Sequence, residues 1–199
     1  MMELSELLLE LISGDDRRAE AAASSLGAYG EQALSLLELL LRSSEADLRW
    51  WAVRGLSELP GDLAGAHLIQ ALEDPNLAVR QCAALGLSHQ LNLLDGNIAQ
   101  RAVPALIEAM SANDALLARL AANTLTCIGA AAVPALLDLL ANSPQPVRLE
   151  AARALALIGD VRAIQALFEA SEEDSTLMEY WANQGLERMG VGMVFFRPE

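Results

Sequence analysis

The chain has 199 residues, 53% of them hydrophobic and 20% charged, which is enough apolar material for a folded core and too much for a disordered segment. Its 13 basic residues are all Arg and face 27 acidic ones, and a net charge of −14 disfavours nucleic-acid binding by phosphate neutralisation. Aromatic residues make up only 4%, so the core must come from Leu, Ala, Val and Ile, which suits packed helices better than a β-sandwich.

At the start of the chain, Met1 to Gly14 carries Glu3, Glu6 and Glu10 and no basic residue. It therefore lacks the positive end of a signal peptide and reads as an amphipathic helix. Charged or polar residues interrupt every Leu-rich run before the roughly 18 apolar residues of a membrane span accumulate. A soluble, cytoplasmic protein without membrane contact is expected. Cys82 and Cys127, each in an Ala/Leu-rich helical pattern, read as small buried residues of a reducing compartment, not as a disulfide or a reactive thiol.

A helical signature recurs down the whole chain: two small residues four and three positions before a Leu. It reads Ala22-Ala23 with Leu26, Ala52-Val53 with Leu56, Ala83-Ala84 with Leu87, Ala121-Ala122 with Leu125, Ala151-Ala152 with Leu155, and Ala182-Asn183 with Leu186. Successive key leucines are 30, 31, 38, 30 and 31 residues apart. Four residues beyond them stand Gly30, Gly129, Gly159 and Gly190, as expected where a helix end needs a left-handed residue; Pro60 and Leu91 are the exceptions. A second helical run follows in each unit: Glu31 to Leu41, Asp62 to Leu72, Arg101 to Met110, Ala131 to Leu140, and Asp160 to Ala170. Pro104 and Pro134 should lie near the starts of two of these, and Asp74-Pro75 and Ser143-Pro144 should open the first helices of the third and fifth units.

One hairpin of this length cannot bury its apolar face alone, whereas stacked hairpins share a continuous core. The expected fold is all-α: a right-handed α-solenoid of stacked antiparallel helical hairpins, about five repeats plus capping half-repeats. It should form one domain over residues 1–190, with 1–13 as an N-terminal capping helix and 191–199 as an apolar tail. Phe195 and Phe196 in that tail suit a cover over the last helix or a hook into a partner. The spacing of 38 marks an insertion at about His89 to Gln100, containing the turn signal Asp95-Gly96-Asn97; it is either a binding loop or a longer connection.

The pattern D-P-x-x-x-V-R-x-x-A-A-x-x-x-L appears as Asp74, Pro75, Val79, Arg80, Ala83, Ala84 and Leu87, and in part as Val147, Arg148, Ala151, Ala152 and Leu155. With A-V-P-A-L-I-E-A at Ala102 to Ala109, it resembles the HEAT repeat, and is most similar to the short variety of phycobilisome bilin lyases and their non-photosynthetic relatives. The resemblance implies that Arg49, Arg80 and Arg148 pair along the stack with acidic residues. Ala19, Ala118 and Glu179 depart from the pattern, so a continuous ladder is not expected.

A polar column recurs in the second helices as Glu10, Glu38, Gln70, Glu108, Asp138 and Glu169. The resemblance places second helices on the concave side, which implies an acidic stripe there, suited to a basic or amine-bearing partner. The same residues also suit the ordinary solvated positions of amphipathic helices. Trp50 and Trp51 share their repeat positions with Tyr180 and Trp181, and such residues serve either as interface anchors or as packing between units.

Catalytic machinery is not evident. His67 and His89 are the two histidines, and neither has a second His or Cys at metal-ligand spacing. The His-Glu pairs of the HEAT-repeat enzyme deoxyhypusine hydroxylase are replaced by His67-Leu68 and His89-Gln90, and no phosphate-binding loop or G-x-S-x-G is present. No cofactor, metal or catalytic residue is therefore assigned. The expected function is a non-enzymatic scaffold that binds a protein or peptide through Glu38, Gln70, Glu108, Asp138 and Glu169, with Trp50, Trp51, Tyr180 and Trp181. The resemblance also leaves open a bilin lyase-like, chromophore-handling role, the one reading under which a bilin would bind.

Overall fold

The computed structural model of the chain describes residues 3–91 and 96–191. The described residues with regular structure are helical: α1 (Leu4–Leu11), α2 (Asp16–Ser25), α3 (Glu31–Leu41), α4 (Ala46–Leu56), α5 (Asp62–Ala71), α6 (Leu77–Gln90), α7 (Gly96–Ser111), α8 (Ala115–Ile128), α9 (Val133–Asn142), α10 (Gln145–Ile158), α11 (Ile164–Ser171) and α12 (Thr176–Arg188). Three short 3-10 turns, Leu26–Tyr29, Gly129–Ala131 and Val161–Ala163, lead into second helices. The fold is thus all-α and built of stacked antiparallel helical hairpins. It divides into two compact units, Met1–Ala105 and Leu106–Glu199.

In the first unit α2 packs on α4 and α4 on α6, so the first helices of successive hairpins form one layer, and α3 and α5 pack against α4 and α6. In the second unit α8, α10 and α12 stack in the same way, with α9 and α11 packed on α10 and α12. The repeated signature lies at the centre of each stack: Leu26, Leu56, Leu87, Leu125, Leu155 and Leu186 are all buried, as are the small residues before them except Asn183. Ala at these sites lets neighbouring helices approach while losing no side-chain entropy.

The glycine expectation holds where the chain reverses. Gly129 and Gly159 terminate α8 and α10 with φ of 75° and 69°, and each N–H bonds back to the carbonyl of its own key leucine, Leu125 or Leu155. Pro60, one of the two exceptions, is compensated from the next repeat. The buried Gln90 side chain donates its amide to the carbonyls of Leu56 and Leu59, both at 2.6 Å, and so satisfies the end of α4 from α6.

Several local expectations need correction. Pro104 lies inside α7, because the inserted residues extend that helix back to Gly96; Gly96 and Asn97 are helical, while Asp95 lies outside the described residues. Pro134, by contrast, sits in the first turn of α9. The N-cap of α6 is Asn76, whose side chain accepts from the N–H groups of Ala78 and Val79 at 2.9 and 3.4 Å, leaving Asp74 for an ion pair. Pro144 itself is the N-cap of α10, with Pro146 in its first turn. Cys82 is buried, but Cys127 is exposed because it stands two residues past Leu125, off the buried stripe. The tail from Gly192 onward, with Phe195 and Phe196, lies outside the described residues.

The family's structural arginines divide into two kinds. Arg49 Nε and Nη2 donate to Asp74 at 2.7 and 2.9 Å, and Arg148 pairs with Glu173 at the same sequence offset of 25. Arg80 instead donates to the backbone carbonyls of Asp74 and Pro75, at 2.7 and 3.2 Å. The Arg49 guanidinium, hydrogen-bonded to Asp74, holds that carboxyl below the usual carboxylate range.

A groove on each helix layer of the first unit

On the second-helix side of the first unit, Glu38 of α3 and Gln70 of α5 open onto one groove of about 420 Å³, lined also by Leu41, Arg42, His67 and Glu73. Glu38 Oε1 lies 2.9 Å from His67 Nε2, both side chains being partly exposed. His67 stands one turn before Gln70 on α5, and its partner across on α3 is not visible from spacing alone.

In the second unit Glu108, Asp138 and Glu169 are all exposed on α7, α9 and α11. Asn142 donates to Asp138 at 2.8 Å and Gln165 to Glu169 at 3.0 Å, so both carboxylates keep lone pairs for an incoming donor. Glu169 also borders a smaller cleft of about 280 Å³ with Arg148 and Glu173. Glu10, at the head of the column, is already engaged by Arg18 Nε and Nη2 at 2.5 and 2.7 Å.

The aromatic candidates occupy the other layer. Trp50 and Trp51 lie on α4, both half-buried, with ring centroids 4.7 Å apart and planes at 89°. They line a groove of about 680 Å³ with residues from the α1–α2 turn, α2 and α6, and this groove shares no residue with the one at Glu38. Tyr180 and Trp181 make a similar edge contact on α12, at 5.1 Å and 75°, with Tyr180 53% exposed.

Among the described residues no group of three His, Cys, Asp or Glu side chains is placed to hold a metal ion. Burial pushes the Cys82 thiol up to about 12, so it is not a nucleophile at neutral pH. No described helix is long and apolar enough to cross a membrane.

Similarity to known proteins agrees with this architecture. The model of HEAT repeats matches residues 33–126 and 103–187. The phycocyanobilin lyase subunit beta of Pseudanabaena tenuis (strain PCC 7409) is 37% identical over 109 residues, which is 55% of this chain and 36% of that protein, so the match spans about a third of the relative's length. The complex of CpcE and CpcF of phycocyanin lyase from Nostoc sp. PCC7120 contains a chain of similar fold, with a TM-score of 0.55, 23% identity and coverage of 96% of this chain and 78% of that one. A designed armadillo repeat protein in complex with the peptide (KR)4 is likewise similar, with a TM-score of 0.57, 18% identity and coverage of 94% and 100%. With hairpin repeats seen in sequence and structure alike, and the repeat model matching well over half of its length, this chain belongs to the HEAT-repeat family.

Proposed function

We propose that the chain is a non-enzymatic HEAT-repeat scaffold that binds a protein or peptide carrying basic side chains along the face of its second helices, the concave face in arrays of this kind. The observation that carries this reading is the exposure of carboxylates at one repeat position of successive second helices: Glu38 beside Gln70 in one groove of the first unit, and Glu108, Asp138 and Glu169 in the second. Carboxylates at repeat spacing give a basic segment a series of similar contacts and raise its association rate. The designed armadillo protein whose structure contains (KR)4 has a similar fold and supports the reading.

The test is titration of a blocked (KR)4 peptide, followed by calorimetry. Replacing Glu38, Glu108, Asp138 and Glu169 together by Gln or Asn should weaken binding by about tenfold or more at low salt, with helical circular dichroism retained. Unchanged affinity would overturn the assignment.

The similarity to a phycocyanobilin lyase subunit favours a second reading, in which the chain handles a linear tetrapyrrole. Adding phycocyanobilin and recording visible absorbance tests it directly: a shifted, saturable band supports pigment binding, and an additive spectrum removes it.

A further inference from the structure

We infer that the Trp50/Trp51 groove on the first-helix layer is a second binding site, built for an arginine side chain presented by a peptide segment of a partner protein. It stands independently of the second-helix surface. Four acidic residues, Asp16, Glu20, Glu45 and Asp47, line this groove together with the two indoles, and no basic residue does. Asp16, Glu45 and Asp47 have no ion-pair partner among the described residues, and Glu20 is held in place from outside the groove by Arg54, at 2.5 Å.

Ordinary helix electrostatics account for only part of this arrangement. Asp16 and Asp47 sit in the first turns of α2 and α4, where a carboxylate is favoured by the helix dipole. Glu20 lies beyond the first turn of α2, and Glu45, although at the N-cap of α4, makes no side-chain capping hydrogen bond. The acidic rim therefore exceeds what the two helix ends require. The apolar part of the lining comes from Leu11, Ile12, Leu48, Ala78 and the indoles.

A cation fits both halves of this surface. Indole faces attract a cation through their quadrupole, and a guanidinium also stacks on a ring while its fork of N–H donors meets carboxylates in the same plane. A lysine ammonium offers the charge without the planar stack, so arginine is the better match. At about 680 Å³ the groove is of ligand-pocket size and admits the side chain with its flanking backbone.

The experiment uses the full chain with Trp181→Phe, so that indole emission reports Trp50 and Trp51. A blocked tetra-arginine peptide is titrated at low salt, with tetra-lysine alongside. The expected result is saturable quenching by tetra-arginine at lower concentration than by tetra-lysine, weakened about tenfold by the Asp16→Asn, Glu45→Gln, Asp47→Asn triple variant and unaffected by the second-helix carboxylate variant. Trp50→Phe keeps an aromatic ring in place and should weaken tetra-arginine binding, read by calorimetry, while leaving the melting temperature close to that of the parent. Quenching that is absent up to millimolar peptide, or that is lost in the second-helix variant and retained in the triple variant, would overturn the inference.

Discussion

Helices α4 and α12 hold the same place in their repeats, yet they end with different surfaces. Each carries an aromatic pair in edge contact, Trp50 with Trp51 and Tyr180 with Trp181, and each has a Gly immediately before its key Leu. Helix α4 is packed between α2 and α6, whereas α12 is stacked on α10. The aromatic pair of α4 thereby acquires walls from neighbouring first helices and becomes a groove, while Tyr180 remains open to solvent. A residue's repeat position sets its direction, but the neighbours on either side decide whether that direction leads into a site.

The largest effect that sharpens this contrast is at the second small position of the signature. Val53 is fully buried in α4, and its counterpart Asn183 in α12 is exposed. Val53→Asn should cost about 3 kcal/mol, because it buries an amide without partners and removes apolar contact, whereas Asn183→Val should change stability by less than about 0.5 kcal/mol. Urea unfolding of the two variants measures both.

Next come the glycines. A Cβ on Gly185 would stand 2.9 Å from the Ala156 Cα and 2.7 Å from a Leu167 methyl, so backbone must move. On Gly55 its nearest neighbours would be methyls of Leu26 and Leu37, at 2.8 to 3.2 Å, which are the far ends of flexible side chains and not backbone. We expect Gly185→Ala to cost about 2 kcal/mol and Gly55→Ala about 0.5 kcal/mol, part of the latter offset by the better helix propensity of Ala. Equal losses in chemical denaturation would show that the two helix crossings are equally tight.

The Arg49–Asp74 ion pair of α4 has no counterpart at the same position of α12 among the described residues, because Glu179 replaces Arg49 there. Only 12% and 10% of the Arg49 and Asp74 side chains are exposed, so Arg49→Ala should cost about 1.5 kcal/mol, less than a fully buried pair. Because the folded-state pKa of Asp74 is lowered, its contribution is complete above pH about 4 and disappears as pH falls through that lower value. Thermal melts between neutral and acid pH should therefore show a smaller acid loss for Arg49→Ala than for the parent. The smallest effect belongs to the open end of the comparison: Tyr180→Ala should lower stability by about 0.5 kcal/mol or less, measured by the same melts.

Legibility followed the range of the interaction. The second helix Glu31 to Leu41 was readable to the residue, since its apolar period and flanking glycine are local. Pro104, expected near a helix start, lies inside α7, because an insertion can lengthen a helix as readily as a loop and local patterns do not separate the two. A further local signal is the small buried residue just before four of the key leucines, Gly55, Gly86, Ala154 and Gly185; a Cβ on any of the three glycines would stand within 3.1 Å of a neighbouring segment. Among the candidate site residues, the spacing named Glu38 and Gln70 as members of one column, yet the His67 contact and the shared groove emerged only with α3 and α5 side by side.

By itself, then, the sequence determined the all-α class, the hairpin repeat, the buried leucines and the glycines at helix ends, all of which depend on periodicity and backbone preference within about one repeat. The tertiary structure alone decided that Trp50 and Trp51 line a groove with residues of α2 and α6, that Gln90 closes the end of α4, and that Asp74 serves Arg49 instead of capping α6. These arrangements join residues some 25 to 35 positions apart, and they depend on the distance and rotation between packed helices, which local sequence patterns do not encode.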